Sequence, residues 1–489
     1  MARSTQERRT WAWAVLGLAG SVLVACCAPR ALHDGVVGWW YAPSWPGRVA
    51  TALIYIGMAA LAAAWVGLGR HLPGRRTLLA ITALWLLPLA LAPPLFSRDL
   101  YSYLAQGTIL HLGRNPYHVA PTVLAGLGHS HVLAAVSPFW RHTTAPYGPL
   151  FLELVSLIVG VGGSHLVAEV MLARALELLG IALLAVFVPR LTRALGTDAR
   201  RGLWLTVASP LTALGLVASG HNDLLMAGML AAGVAVALEG RPLHGVAVCA
   251  LAATIKVPAL LGAVFIAVAW ARTADRRAAA LRLLAAAAVV VAAVLAAVTL
   301  ASGVGVSWLS SALFSTPAKV RLAITPGTSV GYTLAGLLHA LGISVSSRGM
   351  ESACGDLGFA LAAVIGVVAL WRVRVGRLVA LLGIALAAAA AGGPAAWPWY
   401  FTWGLVLAAA LRGAQRSRAL VAALVVSAFL VKPSGVLAVP LQAAPVTLVV
   451  YLMIAAAAWH RWRRHRDIDA TQSEPGRPET GTPPALART

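Results

Sequence analysis

The chain has 489 residues, of which 60% are hydrophobic and 11% are charged, and its formal net charge is +22. A soluble globular protein carries about 25% charged residues, so the composition excludes a soluble globule and indicates an integral membrane protein. The basic residues lie in short links between apolar runs, as expected of charges that fix membrane topology, and therefore do not indicate a nucleic-acid partner.

Arginine-containing links divide the apolar runs along the whole chain. Eight segments are predicted to face the cytoplasm and together contain 27 of the 38 basic residues: 1–9, 70–76, 190–201, 239–244, 272–282, 372–377, 412–418 and the tail from 460. By the positive-inside rule both termini are then cytoplasmic, and the segments rich in Trp, Tyr, His and Pro lie outside. The pattern predicts an all-α polytopic membrane protein with about 13–14 transmembrane helices.

The chain is predicted to form one transmembrane domain over residues 1–466. The tail at 467–489 is rich in Pro, Thr, Glu and Gly and is predicted to be disordered in the cytoplasm. A lipoprotein-like tetrapeptide ends at Cys26, and we interpret it as part of an uncleaved first helix. The spacing of Cys26, Cys27, Cys249 and Cys354 indicates neither a disulfide framework nor a metal site.

Two apolar segments are predicted to differ from simple crossings. Residues 150–163 are shorter than the about 20 residues that a span needs, so we expect a re-entrant or interfacial helix. Residues 245–271 are predicted to form a broken hairpin that turns near Lys256, because Pro258 disfavours helix at the residue before it. Broken helices are tolerated inside membranes where they line a polar cavity.

The polar segment at residues 97–149 is predicted to be a rigid outer loop that carries the chemistry. Asp99 directly follows an apolar run, so its carboxylate could be desolvated enough to act as a general base. Alternatively, Asp99 could cap a juxtamembrane helix over residues 100–110. The turns 113–117 and 145–149 both combine Tyr with Pro, and the rigidity that Pro gives suits a binding loop better than a linker.

A polar pentapeptide at residues 219–223 interrupts two apolar runs. Turn chemistry accounts for its Gly, Asn and Asp, whereas a turn does not require His221, which favours a functional site. Lys256 lies in another apolar run, where an unpaired ammonium costs about 3 kcal/mol, and ionisable residues inside membranes are usually functional. The structural alternative for Lys256 is an ion pair with Asp223.

Two further groups have simple structural explanations. Arg174 and Glu177 are three residues apart in an apolar helix and are expected to pair along one face. The aromatic run 397–401 could stack on sugar rings, or it could belong to the interfacial aromatic belt. The sequence has no phosphate-binding glycine-rich loop and no zinc-binding helix, which disfavours ATP-driven transport and zinc hydrolysis.

Six motifs occur in the order SRDLYSYLAQG, LGRNPY, APYGPL, SGHNDLLMAG, ATIKVPAL and WPWYFTW. Together they resemble the actinobacterial polyprenol-phosphate-mannose-dependent alpha-1,6-mannosyltransferases, which belong to the GT-C superfamily of polytopic glycosyltransferases. The resemblance implies a GT-C-like bundle with juxtamembrane and re-entrant outer-loop helices in a bacterial cell membrane. It also implies an inverting transfer of mannose, without metal or other cofactor, from polyprenyl-phosphate mannose to a mannan or glycolipid hydroxyl outside the membrane.

The resemblance also gives roles to residues of this chain. Asp99 is expected to be the general base, and the donor phosphate is expected near Lys256, with His221 or Arg114 assisting. GT-C enzymes commonly carry the catalytic aspartate in the first outer loop, so Asp34 is a rival that lacks aromatic and proline neighbours. The predicted substrate-binding residues are Arg98, Tyr101, Asn115, Tyr117, Tyr147, Asn222, Asp223, Trp397, Trp399 and Tyr400.

The expected partners are the lipid bilayer, the lipid-linked sugar donor and a glycan or glycolipid acceptor. Two alternatives remain open at this point: a GT-C enzyme with another donor sugar, or a transporter or flippase of a lipid-linked or anionic solute. A transporter usually has matching halves with paired broken helices, and only one clear break is predicted. A transferase requires Asp99 and Lys256 to converge on one outward cavity, whereas a transporter would line a path through the membrane.

Overall fold

The computed structural model describes residues 5–31, 47–163, 165–311, 325–393, 396–436 and 443–453. Within these ranges the chain forms helices and no β-strand, which confirms the predicted all-α polytopic fold. The rival carboxylate Asp34 and the predicted tail at 467–489 lie outside the described residues.

The described part of the N-terminal half contains twelve α-helices that vary widely in length. They are α1 (Thr5–Ala31), α2 (Gly47–Arg70), α3 (Arg75–Leu91), α4 (Asp99–His111), α5 (Ser130–Ala135), α6 (Pro138–Arg141), α7 (Pro149–Gly162), α8 (Leu166–Ala194), α9 (Ala199–Leu205), α10 (Asp223–Leu238), α11 (Pro242–Ala253) and α12 (Leu260–Ala271). A π-helix, Leu211–Ala218, precedes α10, and short 3₁₀ helices occupy Pro121–Ala125 and Val257–Ala259.

The C-terminal half continues in the same way. Its α-helices are α13 (Arg277–Ser302), α14 (Ser307–Ser310), α15 (Pro326–Ala340), α16 (Ser347–Arg372), α17 (Leu378–Gly392), α18 (Thr402–Ala408), α19 (Arg412–Gln415), α20 (Arg418–Phe429) and α21 (Ala444–Met453). Two 3₁₀ helices, Val375–Arg377 and Pro398–Phe401, lead into α17 and α18.

Six of the described helices are long and apolar enough to cross a membrane, and they lie within α1, α2, α8, α13, α16 and Val375–Gly392. A seventh results if the π-helix and α10 form one broken span. This number is smaller than the predicted 13–14 because α11, α20 and α21 are apolar helices shorter than the about 20 residues that a full crossing needs. The crossings predicted at those segments stay a prediction.

The two segments that were predicted to differ from simple crossings are a short helix and a broken one in the structure. Helix α7 is an independent helix of 14 residues that packs on α4 of the outer loop. Helix α11 ends at Ala253, Lys256 is extended with φ −150° and ψ 123°, and α12 then packs back against α11. The predicted break near Lys256 is therefore confirmed, and it brings polar backbone to the inside of the bundle.

The polar pentapeptide at 219–223 lies at a sharp bend. The helix direction changes by 119° between the π-helix before it and α10 after it. Arg174 of α8 stabilises the bend by donating hydrogen bonds of 2.6–3.0 Å to three carbonyl oxygens, those of Leu89, Val217 and Ala218. The expected pairing of Arg174 with Glu177 is therefore not the main contact of the guanidinium, because the exposed carbonyls at the end of the π-helix are its acceptors.

Candidate active site

Asp99 is the first residue of α4 and points into a cluster of aromatic and polar side chains. Its Oδ1 accepts a hydrogen bond of 2.8 Å from the indole nitrogen of Trp140, and its Oδ2 lies 3.6 Å from Nδ1 of His221. The helix is capped at Arg98 without any side-chain capping bond. The capping alternative for Asp99 is therefore not realised, and one carboxylate oxygen is left facing His221.

The backbone before Asp99 is fixed in an uncommon conformation. Phe96 is buried and has φ +63°, a value that side chains other than Gly rarely adopt. Its N–H donates to the carbonyl of Pro433, and the N–H of Leu95 donates to the carbonyl of Ala218, beside the polar pentapeptide. Strained residues of this kind cluster at functional sites, where surrounding contacts hold them. Here the conformation of Phe96 directs the following Asp99 towards the bend at 219–223.

The protonation of Asp99 is set by its surroundings. Burial raises the pKa of the Asp99 carboxyl to about 6, and the hydrogen bond from Trp140 and the positive charge of Lys256 partly oppose this rise. A general base works best when its pKa lies near the operating pH, because it is then both ionised and able to accept a proton. Asp99 is ionised above a pH of about 6 and suits this role.

His221 connects Asp99 to the aromatic wall of the site. Its ring is fully buried, lies 3.4 Å from the Tyr103 hydroxyl through Nδ1, and stacks on Trp399 at 4.1 Å between centroids. Both polar atoms of the neighbouring Asn222 side chain are buried and make no hydrogen bond within the described part of the chain. Buried polar groups are usually satisfied, so Asn222 is available for a ligand.

Lys256 is paired with the last residue of the pentapeptide. Its ammonium donates to both carboxylate oxygens of Asp223, at 2.7 and 2.8 Å, and the indole nitrogen of Trp403 donates to Oδ1 of the same carboxylate at 2.6 Å. The structural alternative for Lys256 is therefore realised. The two partners nevertheless differ in solvent exposure, since the Lys256 side chain is 14% exposed and the Asp223 side chain is 0% exposed.

The second Tyr/Pro turn closes the outer loop onto the break that carries Lys256. The N–H of Gly148 donates to the carbonyl of Ile255 at 3.0 Å, and a Cβ at Gly148 would clash with the carbonyl of Thr254. Tyr117, in the first Tyr/Pro turn, donates its hydroxyl hydrogen to the carbonyl of Tyr147 at 2.8 Å. The two turns are thus fastened to each other and to the Lys256 segment, which makes the loop a rigid wall of the site.

The aromatic run 397–401 is part of the same site. Trp397 stacks on Trp399 at 4.7 Å with an interplanar angle of 9°, and Trp399 in turn stacks on His221. Tyr400 places its ring 4.6 Å from the Lys256 ammonium, a cation–π distance. An interfacial belt does not require these contacts, so the arrangement favours a ligand-binding wall with Trp397 at its half-exposed edge.

Four of the predicted site residues do not join this cluster. Arg114 and Asn115 follow the far end of α4, about 20 Å from Asp99 by the rise of a helix, and Arg114 is exposed. Tyr101 lies on the side of α4 opposite Asp99, near Arg174, and Arg98 lies near Tyr101. The arrangement therefore gives no support to Arg114 as a second phosphate ligand beside Lys256.

Three residues of the site were not predicted from the sequence. Trp140 and Tyr103 contact Asp99 and His221, and Trp403 contacts Asp223. Trp403 is the last residue of the WPWYFTW motif, so the motif could have identified it as a site residue. Nothing in the sequence around Trp140 distinguishes it from other tryptophans of an outer loop.

Trp140→Phe is expected to raise the pKa of Asp99 above about 6, because it removes a hydrogen bond to the ionised carboxylate. One charge-assisted hydrogen bond is worth about 1.5 kcal/mol, or about one pH unit. The acid limb of kcat/KM for the reaction at this site should therefore move to higher pH by that amount. A uniform loss of rate at every pH, with the limb unmoved, would show that Trp140 only packs against the loop.

Comparison with known proteins identifies two matching family domains. The family described as "Alpha-(1->6)-mannopyranosyltransferase, N-terminal domain" matches residues 11–272, more than half of the chain. The family described as "MptB C-terminal domain" matches residues 327–463. The first match contains Asp99, His221, Asp223 and Lys256, and the second contains the aromatic run 397–401.

Individual relatives extend over most of the chain. Alpha-(1->6)-mannopyranosyltransferase A of Mycobacterium tuberculosis is 34% identical over 404 residues, covering 79% of this chain and 76% of the relative. A second alpha-(1->6)-mannopyranosyltransferase of that organism is 32% identical, covering 90% and 86%. Alpha-(1->6)-mannopyranosyltransferase B of Corynebacterium glutamicum is 26% identical, covering 82% and 73%. No solved structure matches the chain significantly.

Proposed function

The chain belongs to the alpha-(1->6)-mannopyranosyltransferase family and is a multi-pass membrane mannosyltransferase, and from this premise we propose its donor, its acceptor and its catalytic residues. The proposed donor is polyprenyl-phosphate mannose. The proposed acceptor is a hydroxyl of a mannan or glycolipid, and the product is an alpha-1,6 linkage formed with inversion at the outer face of the cell membrane.

The observation that carries this proposal is the convergence of Asp99 and Lys256. They lie far apart in the sequence, yet His221 is 3.6 Å from Asp99 and the charge of Lys256 acts on the Asp99 carboxyl. A carboxylate and an ammonium at one site match the two needs of transfer from a sugar phosphate. One group accepts the proton of the attacking hydroxyl, and the other stabilises the negative charge of the leaving phosphate.

Lys256 is suited to hold a phosphate although it is paired. An ammonium has three N–H donors, and within the described residues its hydrogen bonds go only to the two oxygens of Asp223. The partly exposed ammonium can therefore donate its third hydrogen to a phosphate oxygen. Asp223, itself fixed by Trp403, holds the ammonium in place and lowers the cost of keeping it inside the membrane.

The proposed reaction is a single displacement. The acceptor hydroxyl oxygen forms a bond to the anomeric carbon of mannose while the bond from that carbon to the phosphate oxygen breaks. The hydroxyl proton passes to the free oxygen of Asp99, and the electron pair of the broken bond leaves on polyprenyl phosphate beside Lys256. Attack from the face opposite the phosphate inverts the anomeric centre and converts a beta-linked donor into an alpha-linked product.

The distribution of charges supports placing this site at the outer face. Asp223 begins α10, and Glu239 at its other end is about 24 Å away by the rise of a helix. Glu239 forms an ion pair with Arg190, which belongs to one of the arginine-rich links predicted to be cytoplasmic. The site and these links therefore lie at opposite ends of the same helices.

The donor assignment is tested with the purified full-length protein in lipid nanodiscs. It is given either radiolabelled polyprenyl-phosphate mannose or radiolabelled GDP-mannose, with an alpha-1,6 mannan acceptor. We expect transfer from the lipid-linked donor and none from the nucleotide sugar. Transfer from GDP-mannose alone would contradict the proposed donor while leaving the mannosyltransferase family assignment intact.

A further inference from the structure

A large cavity lies at the end of the bundle opposite the active site. It has a volume of about 730 Å³, within the usual range of ligand sites, and opens between the segment after α8 and the link that carries α19. Both segments belong to the arginine-rich links predicted to face the cytoplasm. Helix α8 separates the cavity from the active site, because Arg174 contacts the bend beside the site and the cavity-lining residues from Gly196 follow the other end of α8, about 30 Å away by the rise of a helix.

The cavity is strongly basic. Among the residues that the structure describes, four arginines line it and Asp198 is the one acidic lining residue. The carboxylate of Asp198 is already engaged, since it accepts from the backbone N–H and the guanidinium of Arg200, which does not line the cavity. In the described part of the chain, none of the four lining arginines forms an ion pair; they are Arg201, Arg412, Arg416 and Arg418.

The walls of the cavity are fixed to each other by hydrogen bonds. The side chain of Gln415 accepts from the N–H of Asp198 at 3.2 Å and donates to its carbonyl at 2.9 Å. Thr197 donates its hydroxyl hydrogen to the carbonyl of Ala410 at 2.8 Å. On one wall the guanidinium of Arg201 is held over the ring of Trp204 at 5.3 Å. The positive-inside rule requires only that basic residues lie on the cytoplasmic side. It does not require the hydrogen bonds and the cation–π contact that order the walls of this cavity.

We propose that this basic cavity binds a phosphate-bearing anion at the cytoplasmic face, either the headgroup of an anionic lipid or a soluble phosphate. Arginine is the preferred partner of phosphate because its planar guanidinium donates two parallel hydrogen bonds. Basic pockets at the cytoplasmic ends of membrane helices bind lipid headgroups in this way. The lining residue Val421 of the apolar helix α20 would accompany the acyl chain of a lipid.

The test compares two ligand sources with the full-length protein in nanodiscs. One arm compares phosphatidylcholine alone with phosphatidylcholine containing phosphatidylglycerol, and the other titrates inorganic phosphate into phosphatidylcholine nanodiscs. The readout is the thermal unfolding midpoint, together with native mass spectrometry for retained lipid. The variant is Arg412→Gln/Arg416→Gln, and the matched control is Arg276→Gln/Arg277→Gln, which removes two exposed arginines of another predicted cytoplasmic link.

We expect a stabilising shift for the wild type and the control in one arm, with the variant needing at least tenfold more ligand. A shift with phosphatidylglycerol identifies a lipid site, and a shift with phosphate alone identifies a soluble ligand. Equal responses of the variant and the control, or no response of the wild type in either arm, would overturn the proposal. Mannose transfer by both double variants confirms that they are folded, because none of the four arginines lies in the active site.

Discussion

Asp99→Asn is expected to lower kcat for mannose transfer by about 10²–10⁴-fold, the usual contribution of general base catalysis. The amide has nearly the shape of the carboxylate and can still accept a hydrogen bond from Trp140, so the loop should keep its structure. It cannot accept the hydroxyl proton, and donor binding at Lys256 should be nearly unchanged. Initial rates and donor binding, measured on the same preparation, separate these two effects.

The matched control for Asp99→Asn is Asp275→Asn, which makes the same change at an exposed carboxylate of a predicted cytoplasmic link. It should transfer mannose at the wild-type rate. The acid limb of kcat/KM near pH 6 should be present in the wild type and in the control, because the carboxylate must be ionised to act. If Asp99→Asn retained normal turnover with the same limb, another group would be the base.

Lys256→Met is expected to abolish saturable binding of the lipid-linked donor and to lower transfer by at least 10²-fold, because the leaving phosphate loses its counter-charge. This substitution also leaves the fully buried carboxylate of Asp223 without its cation. Removing one partner of a buried ion pair costs about 3 kcal/mol or more, so a lower unfolding midpoint is expected as well. The single variant therefore mixes a functional effect with a structural one.

The double variant Lys256→Met/Asp223→Asn separates the two effects. It removes both charges, so the unfolding midpoint should return towards the wild-type value, while donor binding and transfer remain lost. Arg277→Met, at an exposed position of a predicted cytoplasmic link, is the control that removes one cation away from the site, and it should bind donor normally. Recovery of activity together with stability in the double variant would show that Lys256 serves only to neutralise Asp223.

The polar residues of the site could be predicted from the sequence because polar residues are rare in membrane-spanning segments. Asp99, His221 and Lys256 each interrupt or border an apolar run, where an unsatisfied polar group is costly, so their presence requires a reason. The broken helix near Lys256 was predicted from Pro258, which disfavours helix at the residue before it. The ion pair of Lys256 with Asp223 was one of two alternatives that the sequence left open. What the sequence could not show is that His221 faces Asp99, since this depends on how distant segments fold together.

The aromatic and backbone contributions were harder to foresee. Seventeen tryptophans occur in the chain, and an outer-loop tryptophan such as Trp140 has the same sequence signature whether it binds lipid or orients a carboxylate. The left-handed conformation of Phe96 has no local signal, because bulky residues adopt it only when tertiary contacts impose it. Arg174 was expected to pair within its own helix, whereas the π-helix end offers it carbonyl acceptors.

The number of crossings was the least predictable feature of the fold. Apolar helices of 12 residues such as α11 and α20 have the composition of membrane spans but not their length. Hydropathy detects an apolar environment, and it does not distinguish a complete crossing from a short helix buried among others. The broken helices around 219–223 and Lys256 also divide single apolar runs into pieces whose direction depends on packing.

The most direct test of the proposed site is an experimental structure of the Asp99→Asn variant with polyprenyl-phosphate mannose bound. We expect a phosphate oxygen within about 3 Å of the Lys256 ammonium, as in other charge-assisted hydrogen bonds. Residue 99 should then lie on the face of the mannose ring opposite the phosphate. A phosphate bound elsewhere, for example at the exposed Arg114, with Lys256 contacting only Asp223, would contradict the proposed mechanism.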